Sequence, residues 1–199
     1  MVPVNNNKIV QVLNKDGRVD YYGKIIIDEE ANLYFKKLVQ NIVWKNDEII
    51  ILGKHITTKR KTAWYGGDDY LYTYSNVTKR ALSWTSELSD LKQLIEEITE
   101  TKFNSCLLNL YHDGSEGMSW HSDDEAMLKR NGTIASLSLG AERKFSFKHK
   151  KTKQIISIIL EHGSLLVMKD ETQVHWLHSL PKVKKIVMPR INLTFRNII

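Results

Sequence analysis

From Asn104 to the C-terminus the chain breaks into short apolar runs separated by turn residues, and no helical segment alternates with them. The runs lie at 104–112, 132–139, 143–149, 154–160, 163–169, 173–179 and 190–198. Asp113-Gly114, Asn131-Gly132 and His162-Gly163 supply turn signals between them. Short strands without interposed helices argue against a doubly wound parallel sheet, which needs a crossover helix between strands. They point to a β-sandwich or jelly roll. Upstream, two segments carry helical periodicity. Ala31, Phe35, Leu38, Val39, Ile42 and Val43 recur at three- and four-residue steps behind Asp28, the expected N-cap; Leu88, Leu91, Leu94, Ile95 and Ile98 do so behind Ser86. The expected class is α+β, mainly β, with the N-terminal helices packed on one face of the strands.

Composition narrows the function classes. The 199 residues read as one unit, with no Gly/Ser-rich linker, no internal repeat and prolines only at 3, 181 and 189. The single thiol, Cys106, excludes an intrachain disulfide and a multi-cysteine zinc site. The longest aliphatic stretch, Ile49 to Leu52, is far too short to span a bilayer, and the start lacks the pattern of a signal peptide. The expectation is a soluble, intracellular, monomeric protein without a membrane partner, with cytoplasm and nucleus both open. Lys+Arg exceed Asp+Glu by 29 to 23, giving +6, a balance that permits a polyanionic partner without requiring one.

The chemistry concentrates between Asn109 and Arg196. His121-Ser-Asp123 is followed by His178 after 55 residues and by Arg190 after another 12. A two-residue step on extended backbone puts His121 and Asp123 on one face. Two imidazoles and one carboxylate leave three sites of an octahedral iron open, the facial arrangement of non-haem Fe(II) oxygenases. Alone, the His-x-Asp step is weak and equally describes two polar loop residues after Gly117. His175 competes with His178 and falls on the opposite face of the expected strand; His55, His112, His149 and His162 have no carboxylate at metal spacing and read as surface or turn residues. The last strand changes the balance. In Pro189-Arg-Ile-Asn-Leu-Thr-Phe-Arg196, Arg190, Asn192, Thr194 and Arg196 share one face, with Ile191, Leu193 and Phe195 on the other. Two guanidinium groups opposite a core face need anions, and a dicarboxylate offers two. Asn109 and Tyr111 show the same two-residue pairing just before the His-x-Asp step.

These segments, together with Ile134-Ala-Ser-Leu-Ser-Leu-Gly140, Phe145-Ser-Phe-Lys-His149, His162-Gly-Ser-Leu-Leu166 and His175-Trp-Leu-His-Ser-Leu-Pro181, closely resemble the AlkB family of Fe(II)/2-oxoglutarate dioxygenases. The resemblance covers the last half of the chain. It extends more weakly upstream through Leu52-Gly-Lys54, Arg60-Lys61, Tyr65-Gly66 and Tyr72-Thr-Tyr-Ser75, which look like the nucleotide-recognition region of the DNA-repair branch. It implies a double-stranded β-helix (jelly roll), with iron on His121, Asp123 and His178. It assigns the carboxylates of the cosubstrate 2-oxoglutarate to Arg190 and Arg196, assisted by Asn109, Tyr111 and Asn192. Leu110 replaces an Arg common in relatives, on the side of the strand that faces away from the cosubstrate.

The implied activity is oxidative removal of N-methyl groups from N1-methyladenine and N3-methylcytosine, consuming dioxygen and releasing formaldehyde, succinate and carbon dioxide. DNA is favoured as the partner, with RNA and a protein substrate as alternatives. The substrate contacts implied are Asp124, Arg60, Tyr72, Tyr74 and Leu52, with Glu125 read as a solvated acid. Three basic groups support a nucleic-acid partner: Arg143 to Lys153, with six bases and no acid, Lys54 with Lys59 to Lys61, and Lys182 with Lys184 and Lys185. The expected organisation is an N-terminal extension and helix over about 1–48, a nucleotide-recognition lid over about 49–80, a supporting helix over about 84–100 and the β-helix core over about 104–199.

Overall fold

The structure is a computed structural model, and it describes residues 9–51, 54–67, 71–74 and 77–199. The chain opens with strands, not helices: β1 (Val10–Leu13) and β2 (Arg18–Lys24) precede α1 (Asp28–Asn41). A hairpin of β3 (Lys45–Ile51) and β4 (Lys54–Gly66) follows, then β5 (Leu71–Tyr74), β6 (Val77–Arg80), β7 (Leu82–Ser83) and α2 (Ser86–Thr99). Beyond α2 come β8 (Ser105–Tyr111), β9 (Met118–His121), β10 (Ile134–Gly140), β11 (Arg143–His149), β12 (Ile155–Leu160), β13 (Ser164–Lys169), α3 (Thr172–His175), β14 (Trp176–Leu180) and β15 (Arg190–Arg196). The expected helical first half is therefore corrected. β4 escapes a period-two reading because Thr62 to Gly66 are buried without a break, which erases alternation there.

Two sheets carry the architecture. The larger runs β1-β2-β13-β10-β15-β8-β4-β3, with β7 joined to β4; the smaller runs β12-β11-β14-β9. A separate two-stranded sheet pairs β5 with β6. The neighbours β8, β15, β10 and β13 are antiparallel throughout, as are the four strands of the smaller sheet. This is a mainly β jelly roll.

Each face of β15 has a distinct neighbour. Ile191, Leu193 and Phe195 join Leu108, Leu137 and Leu165 in a core cluster that also holds Ala31 and Leu38 of α1 and Leu88, Leu91 and Ile95 of α2. On the other side, Ile134, Leu166 and Met168 of the larger sheet meet Phe147, Leu160 and Trp176 of the smaller one, with Leu13, Val19 and Tyr21 closing that cluster. Leu110 is buried in the helix-side core, consistent with its facing away from the polar side of the sheet. Gly140 ends β10 with φ +88, and a Cβ there would lie 2.4 Å from the Pro189 carbonyl oxygen, so this close approach to β15 requires glycine.

The helix ends differ from expectation. Ile27, not Asp28, is the N-cap of α1; Asp28 lies inside the first turn and accepts a hydrogen bond from Lys24 Nζ at 2.9 Å. Asp28, Glu29 and Glu30 together complement the helix dipole there. The helix stops at Asn41, leaving Val43 beyond it and 55% exposed. Thr85, not Ser86, caps α2, its hydroxyl accepting from the Leu88 N–H at 3.3 Å. The run expected at 173–179 is split, because residues 172–175 form the short helix α3. No helix among the described residues is long and apolar enough to cross a membrane.

The two faces predict unequal sensitivity. Leu193→Ala, at a site with 0% exposure, should cost about 2–5 kcal/mol in denaturant unfolding. Ile159→Ala on β12, 49% exposed, should cost less than about 1 kcal/mol.

Candidate active site

The pairing of β14 with β9 sets His178 directly opposite His121. Their rings sit 4.2 Å apart between centroids, edge to face, and Phe145 stacks against His178 at 5.5 Å. The chain then leaves β9 without regular structure over 122–125. That turn brings Asp123 Oδ1 to 3.6 Å from the Nε2 of both histidines. One ligand atom from each of the three lies within 4.8 Å of the others, a spacing that can hold a metal ion. His121 Nδ1 donates to the Ser119 carbonyl at 2.8 Å, which fixes the ring and leaves Nε2 to face Asp123.

The electrostatics suit ligation. Burial, reinforced by His178, pulls the His121 imidazole below its ordinary value and keeps it neutral, the form that binds metal. Burial opposes ionisation of Asp123. The hydrogen bond from His178, with attraction to His178, Arg196 and His121 as cations at the low pH where this carboxyl titrates, outweighs burial and holds the carboxyl far below the usual range. Gln173, absent from the sequence reading, and Lys150, read there only as part of a basic group, support this turn. Gln173 of α3 accepts from the Asp123 N–H at 2.9 Å, and Lys150 Nζ reaches Ser122 Oγ at 3.2 Å and the Gln173 carbonyl at 2.8 Å.

Beside the cluster, adjacent strands of the larger sheet assemble a polar face. Arg190 pairs in register with Tyr111, and Asn192 with Asn109, across β15 and β8. All four are buried. Arg190 Nη2 donates to Ser138 Oγ at 2.9 Å and to Asn192 Oδ1 at 2.8 Å, while its guanidinium lies 5.7 Å from the centre of the Tyr111 ring. Burial lowers the Arg190 pKa to about 10; Tyr111 works against that shift and Arg143 adds to it. Arg190 Nε has no hydrogen-bond partner among the described residues, and no described carboxylate lies within 4.0 Å of its nitrogens. A buried cation surrounded by neutral groups fits a carboxylate ligand. Arg196 has acidic neighbours, Glu125 Oε1 at 3.5 Å and Asp123 Oδ2 at 3.8 Å.

The cluster opens into a cavity of about 640 Å³ lined by Asp47, Arg60, Asn109, Met118, His121, Asp123, Glu125 and Arg196, among others. Glu125 is therefore a cavity residue rather than a solvated acid. Asp124 is exposed, accepts from Ser122 Oγ at 2.9 Å and borders a neighbouring cavity of about 490 Å³ instead. Asp123, Glu125 and Arg196 border both cavities. Counting by two from His121 thus reaches Asp123 and Glu125 on one cavity, although the segment after His121 is not a regular strand.

Other sequence expectations are redistributed. Arg60 is buried in the cavity wall and paired with Asp47, so it is not a surface phosphate contact. Arg143 is 1% exposed and donates to the Glu116 and Pro181 carbonyls at 2.9 and 2.8 Å, which removes it from the basic surface group. His149 is buried rather than superficial: Nε2 meets Asp16 Oδ2 at 3.0 Å, and Nδ1 accepts from the Thr152 N–H. His175 ends α3 beside Glu171, outside the metal-spaced cluster. Tyr72 and Tyr74 lie two apart on β5, opposite Lys79 and Val77; their side chains and Leu52 fall outside the described residues.

Comparison with known proteins matches residues 18–196 to the model of the 2OG-Fe(II) oxygenase superfamily. The chain belongs to that superfamily. Within it the chain belongs with the AlkB homologues. It is 37% identical over 181 residues to mouse (Mus musculus) DNA oxidative demethylase ALKBH2, covering 85% of this chain and 76% of that one. It is 39% identical over 191 residues to human (Homo sapiens) alpha-ketoglutarate-dependent dioxygenase alkB homolog 3, covering 91% of this chain and 66% of that one. The solved structure of OsALKBH1 shares the fold at a TM-score of 0.60 and 15% identity, covering 96% of this chain and all of that one. Membership makes the chain an Fe(II)- and 2-oxoglutarate-dependent dioxygenase, and the His-Asp-His cluster fits the iron.

The donor geometry predicts that His121→Ala, Asp123→Ala and His178→Ala each abolish stoichiometric Fe(II) binding in an anaerobic titration. His175→Ala should bind as the wild type does.

Proposed function

We propose that the chain removes N-methyl groups from N1-methyladenine and N3-methylcytosine in DNA. The observation that carries this reading is the position of Glu125 on the cavity that also receives His121 and Asp123, in a chain whose relatives include DNA oxidative demethylases. Both methylated bases are cations, and a carboxylate beside the base favours that charge. In this reading Glu125 takes the base-facing role that the resemblance implied for Asp124.

In this reading His121, Asp123 and His178 hold iron, and Arg190 and Arg196 take the two carboxylates of 2-oxoglutarate with help from Asn109, Tyr111 and Asn192. When bound, iron, 2-oxoglutarate and dioxygen supply oxidation of the N-methyl carbon, which leaves as formaldehyde while the cosubstrate leaves as succinate and carbon dioxide. The protein's share is positional. Gln173 and Lys150 hold the turn that aims Asp123, the Ser119 carbonyl orients His121, and the apolar packing around Phe145 and Phe147 keeps water from that side of the cluster.

A base inside a duplex reaches such a site only by leaving the stack. Residues 49–80, which include the β3–β4 connection and the β5–β6 sheet, serve as a nucleotide-recognition lid. Tyr72 and Tyr74 stack on the extruded base, and Leu52 fills the gap it leaves. A lesion that cannot pair is cheaper to extrude, which favours these two bases over unmodified ones.

The test is an activity panel of both lesions in single- and double-stranded DNA and RNA, read by mass spectrometry for the repaired base and by formaldehyde release. Turnover should be highest on DNA and should require Fe(II) and 2-oxoglutarate. Arg190→Lys should raise the 2-oxoglutarate KM by at least about tenfold, because an ammonium lacks the planar fork. Succinate formation without repair of any oligonucleotide would sink the reading.

A further inference from the structure

An ion pair in the wall of the metal-side cavity lies outside the His-Asp-His cluster, and its arginine lies 6.0 Å from the centre of the Tyr111 ring. Asp47 and Arg60 meet where the β3–β4 register slips. Asn46 pairs with Lys61 and Glu48 with Thr57, so one residue of β3, Asp47, faces three of β4, Thr58 to Arg60. Bulges of this kind re-aim side chains. Here both members of the pair are inside the protein, Asp47 at 3% and Arg60 at 8% exposure. Arg60 Nη2 donates to Asp47 Oδ2, and Nη1 donates to Met118 Sδ at 3.3 Å. Both residues line the same cavity as His121, Asp123 and Glu125.

Lys45, Glu48 and Arg80 also line this cavity, and its most deeply placed arginines lie beside carboxylates. Arg196 has Asp123 and Glu125 as neighbours. Arg60 has Asp47. Neutralise Asp47 and the guanidinium of Arg60 stays in the wall with its charge uncompensated, in a setting where water screens poorly. A cationic base entering the cavity then meets a like charge, whereas a neutral base of the same shape does not.

We propose that Asp47 is a specificity-determining residue: by compensating Arg60, it makes the cavity accept a positively charged base. The proposal rests on the nucleobase reading above and adds to it the residue that sets charge preference. It acts through the substrate's charge and not through the metal.

The experiment compares short single-stranded DNA carrying N3-methylcytosine, a cation, with the same strand carrying N3-methylthymine, its neutral counterpart. Equilibrium binding by fluorescence anisotropy is measured for the wild type, Asp47→Asn and Asp47→Asn/Arg60→Gln, alongside kcat/KM on N3-methylcytosine. Asp47→Asn should weaken binding of the cationic strand by about tenfold while the neutral strand stays within about twofold. The double variant, with both charges gone, should bind the cationic strand nearly as the wild type does. Equal weakening on both strands, or no change on either, would overturn the proposal and leave Asp47 a structural residue. Absence of N3-methylcytosine repair by the wild type would instead overturn the nucleobase reading itself, so the two failures are distinct.

Discussion

Burial of two guanidinium groups on one face of a central strand is the constraint around which this molecule is arranged. β15 is hydrogen-bonded on both sides, to β10 and to β8, and its other face is wholly apolar. Arg190 and Arg196 are 2% and 1% exposed, so neither charge can be left to water. The fold answers them differently. Arg196 lies beside Asp123 and Glu125, tying the strand to the irregular turn that carries a metal-spaced carboxylate. Arg190 has hydroxyl and amide oxygens and an aromatic ring, which orient it without cancelling its charge. One strand thereby fixes the core on one side and two anion-seeking positions on the other.

How legible this was in the sequence depends on whether burial preserved alternation. Along β8, β10 and β15 one face is packed under the helices and the other is polar, so a period of two survives and the strands could be read nearly to their ends. Along β4 the stretch from Thr62 to Gly66 is buried on both faces, and charged residues such as Lys59 and Lys61 interrupt any apolar run before it. β4 was hard to read for that reason. The helices were legible in their interiors but not at their caps, because Thr85 and Ser86 are both good capping residues and only geometry chooses between them.

The same distinction runs through the site. Asn109, Tyr111, Arg190 and Asn192 sit on paired strands, where counting by two gives the facing side chain, and the register brings them together. Asp124 and Glu125 follow the end of β9, and there the resemblance pointed to Asp124 whereas Glu125 lines the cavity with His121 and Asp123. Asp47 lies opposite a slip in register, Gln173 acts from a helix too short to show periodicity, and Arg143 looked like surface charge until its carbonyl partners were visible. Function written on regular backbone can be read from spacing; function written on bulges and turns needs coordinates.

The candidate metal donors and the candidate cosubstrate arginines come from different layers. His121 and His178 belong to the smaller sheet, Arg190 and Arg196 to the larger, and Asp123 spans the gap. Iron and a dicarboxylate held by these residues would act as a clasp across the seam of the sandwich. Ligands that bind the folded chain and not the unfolded one stabilise it by an amount that grows with the logarithm of their concentration relative to Kd. Heat resistance of this protein is then a gauge of clasp closure.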